Sequence, residues 1–165
     1  MFHRLRQIAF ALRFRTPPPV PADLIPDARL RRMFRSLGAH DQRHLLEVHR
    51  LCVESGLPGH VAMGALLHDL GKARLSGSRI SVAGRTWHLL FGRFAPDWER
   101  RLSRARIPII SNELFLAYHH AEIGAERLAA LGYPPEVVEI VRKHDAETTT
   151  DHHLRAMQAI DSATP

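Results

Sequence analysis

His68 and Asp69 stand side by side in the stretch Ala65-Leu66-Leu67-His68-Asp69-Leu70-Gly71-Lys72. A neutral imidazole offers one nitrogen and a carboxylate one oxygen to a divalent transition metal. Neighbours on a helix point about 100° apart, so such a pair converges on one ion only near a helix end. Gly71 supplies a candidate end. Two ligands do not hold a metal, and the chemistry requires others.

The others lie where apolar helical stripes point inward. His44 continues the stripe of Val48 and Leu51, and His120 that of Leu116, Ile123 and Gly124. His144 follows Val137, Ile140 and Val141, with Asp145 beside it, and Asp161 extends the face of Leu154, Met157 and Ile160. A lone histidine on such a face is more often a hydrogen-bonded core residue than a ligand. Burying all these groups singly is costly, and one shared metal centre would satisfy them together. His119 adjoins His120 and is expected to point elsewhere.

The order His44, His68-Asp69, Asp161 resembles the HD superfamily of metal-dependent phosphohydrolases, with residues 65–72 as the most specific stretch. Residues 42–48 are similar to the segment supplying that family's first ligand. His120-Ala121-Glu122-Ile123-Gly124-Ala125 resembles its His-Pro-Glu-Ile-Gly-Ala element, with Ala121 in place of proline. Val141-Arg142-Lys143-His144-Asp145 resembles its Val-x-x-His-His element, with Asp145 for the second histidine, and Ala159-Ile160-Asp161-Ser162 matches its closing aspartate. The resemblance covers about residues 35–165. Gly132-Tyr133-Pro134 also spells a signature of the cyclic-di-GMP phosphodiesterase branch, but here it precedes His144 instead of following the His-His-Glu element. A helix stop followed by a proline-initiated helix accounts for it, and that activity is not assigned.

The resemblance implies that His44, His68, Asp69 and Asp161 bind a first metal. It implies that His120 and His144 bind a second, with Asp69 bridging. Asp145 is left as a ligand, an orienting group or a solvated carboxylate. The implied reaction is cleavage of a phosphoester or phosphoanhydride by metal-activated water. Asp69 and Lys72 are the residues expected to take part directly: Lys72 either holds a phosphoryl oxygen or balances a helix C-terminus. The implied cofactor is one or two divalent ions, with Fe, Mn, Co, Ni and Zn all suited to mixed nitrogen and oxygen ligands. The implied partner is a phosphorylated small molecule, a nucleotide being one class. The alternative is a non-catalytic module of the same fold that binds or senses a nucleotide.

Helices must position these groups. The hydrophobic spacing predicts them over 27–36, 41–55, 59–71, 112–131, 134–145 and 150–162, with glycines 56, 71 and 132 as stops. Two short helices are expected near 85–92 and 96–105, and a basic amphipathic helix over 2–14. No strand alternation is convincing, so the expected fold is all-α, a compact bundle of about six to eight helices. Residues 1–26, with the proline-rich stretch 16–21, are expected to form an appendage and linker to a domain over 27–165. Trp87-His88-Leu89-Leu90-Phe91 and Trp98 are expected to be ordinary core.

Composition narrows the remaining classes. Of the 165 residues, 45% are apolar and 24% charged, as in ordinary globular domains. The single cysteine, Cys52, excludes an internal disulfide and a thiolate-rich metal site. Twelve histidines suit a metal or proton-transfer role. No run approaches a membrane span and no signal-peptide core is evident, so a cytoplasmic setting is expected. The formal charge of +6 clusters in residues 1–35 and 93–106 and favours anionic partners. Arginines in 79–106 could clamp further phosphates, and the helix over 2–14 is expected to pack on the domain or a partner subunit, with contact to an acidic membrane surface as the alternative. Nucleic acid ranks last as a partner, because no nucleic-acid-binding motif is recognised. Oligomeric state is not readable.

Overall fold

A computed structural model describes residues 16–73 and 110–164. Over them the chain is all-helical: α1 (Ala28–Ser36), α2 (Ala39–Glu54), α3 (Gly59–Leu67), a 3-10 turn (Leu70–Lys72), α4 (Ile110–Ala130), α5 (Pro135–Lys143) and α6 (His152–Ala163). These six α-helices form a compact bundle, and there is no strand among the described residues. The expected helices over 2–14, 85–92 and 96–105, the Trp87–Phe91 stretch, Trp98 and the arginines of 79–106 lie outside the described residues.

α3 is the centre of the bundle because it is apolar almost all round. Val61, Ala62, Gly64, Ala65, Leu66 and Leu67 are all buried, against α2 on one side and α5 and α6 on others. Its small residues set how near the neighbours come: a Cβ on Gly64 would lie 2.3 Å from Ile140 Cγ2 of α5. Two apolar clusters meet along α3. One gathers Leu66, Leu67, Leu70, Phe34, Leu128 and Val141, and the other Val48, Cys52, Val61, Ile140 and Met157. Cys52 is a fully buried small hydrophobe. Ile25, ahead of α1, is fully buried in the first cluster. No described helix is long and apolar enough to cross a membrane.

The helix ends follow local chemistry. Asp27 caps α1 through Leu30 N–H at 2.7 Å, and Asp151 caps α6 through His153 and Leu154 N–H. Gly56 and Gly132 adopt left-handed φ of 70° and 77° and stop α2 and α4. After each, the next amide reaches back five residues, Leu57 N–H to Cys52 O and Tyr133 N–H to Leu128 O. Gly132-Tyr133-Pro134 is thus a helix stop and start.

Gly71 does not end a helix, contrary to the spacing-based expectation. The α-helix closes at Leu67, His68 is its C-cap, and the chain tightens at Asp69 (φ −93°, ψ 7°) into the 3-10 turn. The apolar spacing runs on through Leu70, and spacing alone does not separate α from 3-10 geometry. Gly71 is required for another reason: a Cβ there would sit 1.8 Å from the carbonyl oxygen of His120. The turn carrying His68-Asp69 lies directly on the backbone of α4.

Candidate metal centre

The bundle draws the six predicted ligands into one place. His44 comes from α2, His68 and Asp69 from the end of α3, His120 from α4, His144 from the end of α5 and Asp161 from α6. His68, Asp69, His120 and His144 are buried, and His44 and Asp161 are partly so. His119 is exposed, as expected of the neighbour that points away.

Two groups of ligand atoms share Asp69. In the first, His44 Nε2 lies 2.8 Å and His68 Nε2 3.4 Å from Asp161 Oδ1, and Asp69 Oδ2 is 3.8 Å from His68 Nε2. In the second, His120 Nε2 and His144 Nε2 are 3.1 Å apart, and lie 3.4 and 3.9 Å from Asp69 Oδ1. Asp69 thus turns Oδ2 toward His68 and Oδ1 toward His120 and His144. Asp145 is exposed, yet a carboxylate oxygen of it lies within 4.8 Å of ligand nitrogens of His120 and His144.

These separations test whether an ion fits. Nitrogen and oxygen ligands about 2.1 Å from a metal stand about 3.0–3.4 Å from one another around it. Three of the observed separations, 3.1, 3.4 and 3.4 Å, lie in that range, and the others, from 2.8 to 3.9 Å, bracket it. A second requirement is a free lone pair directed at the centre. His68 Nδ1–H donates to Ala65 O and His144 Nδ1–H to Val141 O, each at 2.8 Å, which leaves both Nε2 atoms bare and aimed inward. Both histidines are helix C-caps bonded to the carbonyl three residues back, so two helix ends present ligands in the same way. The buried His/Asp cluster could therefore hold a metal ion.

The electrostatics agree. Burial pushes the Asp69 carboxyl up, but the charges of Lys72, His68, His120 and His144 hold it well below the usual carboxylate range. Asp161 is likewise pushed up by burial but held lower by the His44 hydrogen bond and neighbouring imidazoles. Burial pulls His44 down, and its bond to Asp161 outweighs that and raises it. Burial, helped by His68, pulls His144 below its ordinary value. The cluster thus favours ionised carboxylates and a neutral His144, the forms that bind metal, while His44, raised by Asp161, would have to give up its proton to do so. Lys72 places Nζ 2.6 Å from Asp69 Oδ2.

Two residues not singled out by the sequence, Arg127 and Gln158, hold the ends that carry these groups, and Gly124 of the His120 stripe makes room beside them. Arg127 of α4 reaches Ala73 O at 2.6 Å, Leu70 O at 3.3 Å and Gly71 O at 3.4 Å. Gln158 of α6 donates to His144 O and Ala146 O, both at 3.0 Å. Gly124 clears the way between them, since its Cβ would meet Gly71 N and Val141 Cγ1 at 3.2 Å. Arg127 and Gln158 read in sequence as ordinary polar helix residues. The faint signal for Arg127 is its position seven residues after His120, on the same helical face.

A further His/Asp group, Asp151, His152 and His153, sits at the N-terminus of α6. Asp151 already accepts two backbone N–H bonds there, and the helix end repels a cation. It is a cap.

No family model, no curated protein and no solved structure matches the chain.

Proposed function

We propose that this chain is a metal-dependent phosphohydrolase of the HD type, cleaving a phosphoester or phosphoanhydride. The observation that carries the proposal is the position of Asp69, with Oδ2 3.8 Å from His68 Nε2 and Oδ1 3.4 Å from His120 Nε2. His44, His68, Asp69 and Asp161 would hold one divalent ion and Asp69, His120 and His144 a second, with Fe, Mn, Co, Ni or Zn as candidates. Bound there, the metal would supply Lewis acidity toward a phosphoryl oxygen and activate the attacking water.

The chain's own residues would do the rest. The backbone carbonyls of Ala65 and Val141 fix the tautomers of His68 and His144. Asp69 is kept ionised and stays a strong ligand. The Lys72 ammonium, half-buried at the rim, would neutralise a non-bridging phosphoryl oxygen as charge redistributes. A nucleotide is the leading substrate class on the resemblance alone.

The test is hydrolysis by the metal-loaded protein of a panel of phosphomonoesters, phosphodiesters and nucleotides. Metal-stimulated turnover is expected, and it should vanish in His68→Ala and Asp69→Ala variants that remain helical. Tight nucleotide and metal binding without turnover would replace the enzyme with a sensing module. No metal uptake and no turnover would end both.

A further inference from the structure

The turn that carries Asp69 and Lys72 has few backbone hydrogen bonds of its own to hold it in shape. It is a single 3-10 turn of three residues, closed by Lys72 N–H to Asp69 O and Ala73 N–H to Leu70 O. Such turns have poor hydrogen-bond geometry and do not persist alone. Leu70 O accepts the Ala73 bond, whereas the carbonyls of Gly71 and Ala73 have no backbone N–H partner among the described residues, and all three residues are buried. Unpartnered buried carbonyls are costly, and clustered carbonyl ends carry partial negative charge.

Arg127 meets that need from the neighbouring helix, with one guanidinium nitrogen within 2.6–3.4 Å of all three carbonyl oxygens. Its environment is not that of a solvated arginine. The residue is half-buried, burial lowers its pKa, and among the described residues it faces carbonyls instead of a carboxylate. Position matters as much as contact. His120, Gly124 and Arg127 follow one another at four and three residues, so one face of α4 carries the ligand, the clearance and the clamp. His120 O abuts Gly71 at one end of the turn, and Arg127 grips Ala73 O at the other.

We propose that Arg127 is a positioning residue for metal binding, fixing the Asp69 turn against α4 so that Asp69 and His120 stand at ligand distance. The inference rests on the metal reading of the site and adds a residue that touches no ligand atom. Ligand placement must hold to about 0.5 Å, and losing an outer supporting bond typically weakens metal affinity about 10-fold to 100-fold.

The test is titration of the metal-free full chain with cobalt(II), followed by its visible d–d absorption, in wild type, Arg127→Met and Arg127→Lys. Met keeps the aliphatic packing and removes the donors. Its expected result is cobalt affinity weakened about 10-fold to 100-fold with an altered d–d band. Lys keeps a cationic donor for Ala73 O and is expected to restore the wild-type band and most of the affinity. If Arg127→Met does not fold, Arg127→Leu, which also lacks a donor, takes its place with the same expectation. Unchanged affinity and spectrum would overturn the proposal, and so would a lower melting temperature with unchanged affinity, which marks a purely structural arginine. Failure of the wild type to take up cobalt would instead overturn the metal reading itself, visible before any substitution is made.

Discussion

Lys72 Nζ lies 2.6 Å from Asp69 Oδ2, so the carboxylate between the two histidine groups has a built-in counter-charge. In the metal-free chain that ammonium is the largest influence holding Asp69 ionised against its burial. Lys72→Met would leave a buried carboxylate with only imidazoles for company. The expected cost to the metal-free protein is about 2 kcal/mol, below the 3–5 kcal/mol typical of a fully buried pair, because the Lys72 side chain is 28% exposed. Metal loading should shrink that cost, since Asp69 then has another positive partner. Urea unfolding of both variants, with chelator and with metal, measures the difference. Equal costs in both conditions would contradict a metal ligand role for Asp69.

Gly71→Ala tests how closely the turn must lie on α4. The added methyl would fall 1.8 Å from His120 O, a backbone atom that cannot swing aside. The turn must lift from the helix, at an expected cost of about 3 kcal/mol. Metal affinity should fall with it, because Asp69 and His120 separate. Thermal unfolding and metal titration of the variant check both parts, and normal affinity would show that the contact is not what sets the site.

The pH dependence of the His44–Asp161 pair has a definite sign. Burial lowers the His44 pKa, but the Asp161 hydrogen bond and charge, with Asp69, raise it above the ordinary 6.5. A raised imidazole contributes stability that is fully present below pH 6.5 and is lost as pH climbs through the folded-state pKa. With chelator present, the stability difference between wild type and His44→Gln should therefore be largest at low pH and shrink as pH rises. Asp69 and Lys72, which also act on His44, remain in both proteins, so the difference reads His44 in these surroundings. A difference that grows with pH would show that burial dominates at His44.

Much of the site could be read from the chain because its candidate ligands interrupt apolar stripes. His44, His120, His144 and Asp161 each occupy an inward position among leucines, isoleucines and valines, and α2, α4, α5 and α6 begin and end within two or three residues of where spacing puts them. The unread part is tertiary. Whether the residues after Leu67 continue as α-helix or tighten into a 3-10 turn depends on α4 lying against Gly71, and nothing local to that stretch encodes the neighbour. Arg127 and Gln158 were hidden for the same reason. A guanidinium or amide at a helix surface reads as solvated until another element brings three carbonyls, or two, within reach. Asp145 sits between these cases: its type and place beside His144 were visible, and its exposure was not.

The central claim, that the His/Asp cluster is a metal centre, is tested most directly by elemental analysis of the purified chain after loading with Fe, Mn, Co, Ni or Zn and removal of free ion. One or two ions per chain are expected, falling in His68→Ala and Asp69→Ala variants that keep their helical circular dichroism. A folded chain that retains no transition metal under any of these loadings would contradict it.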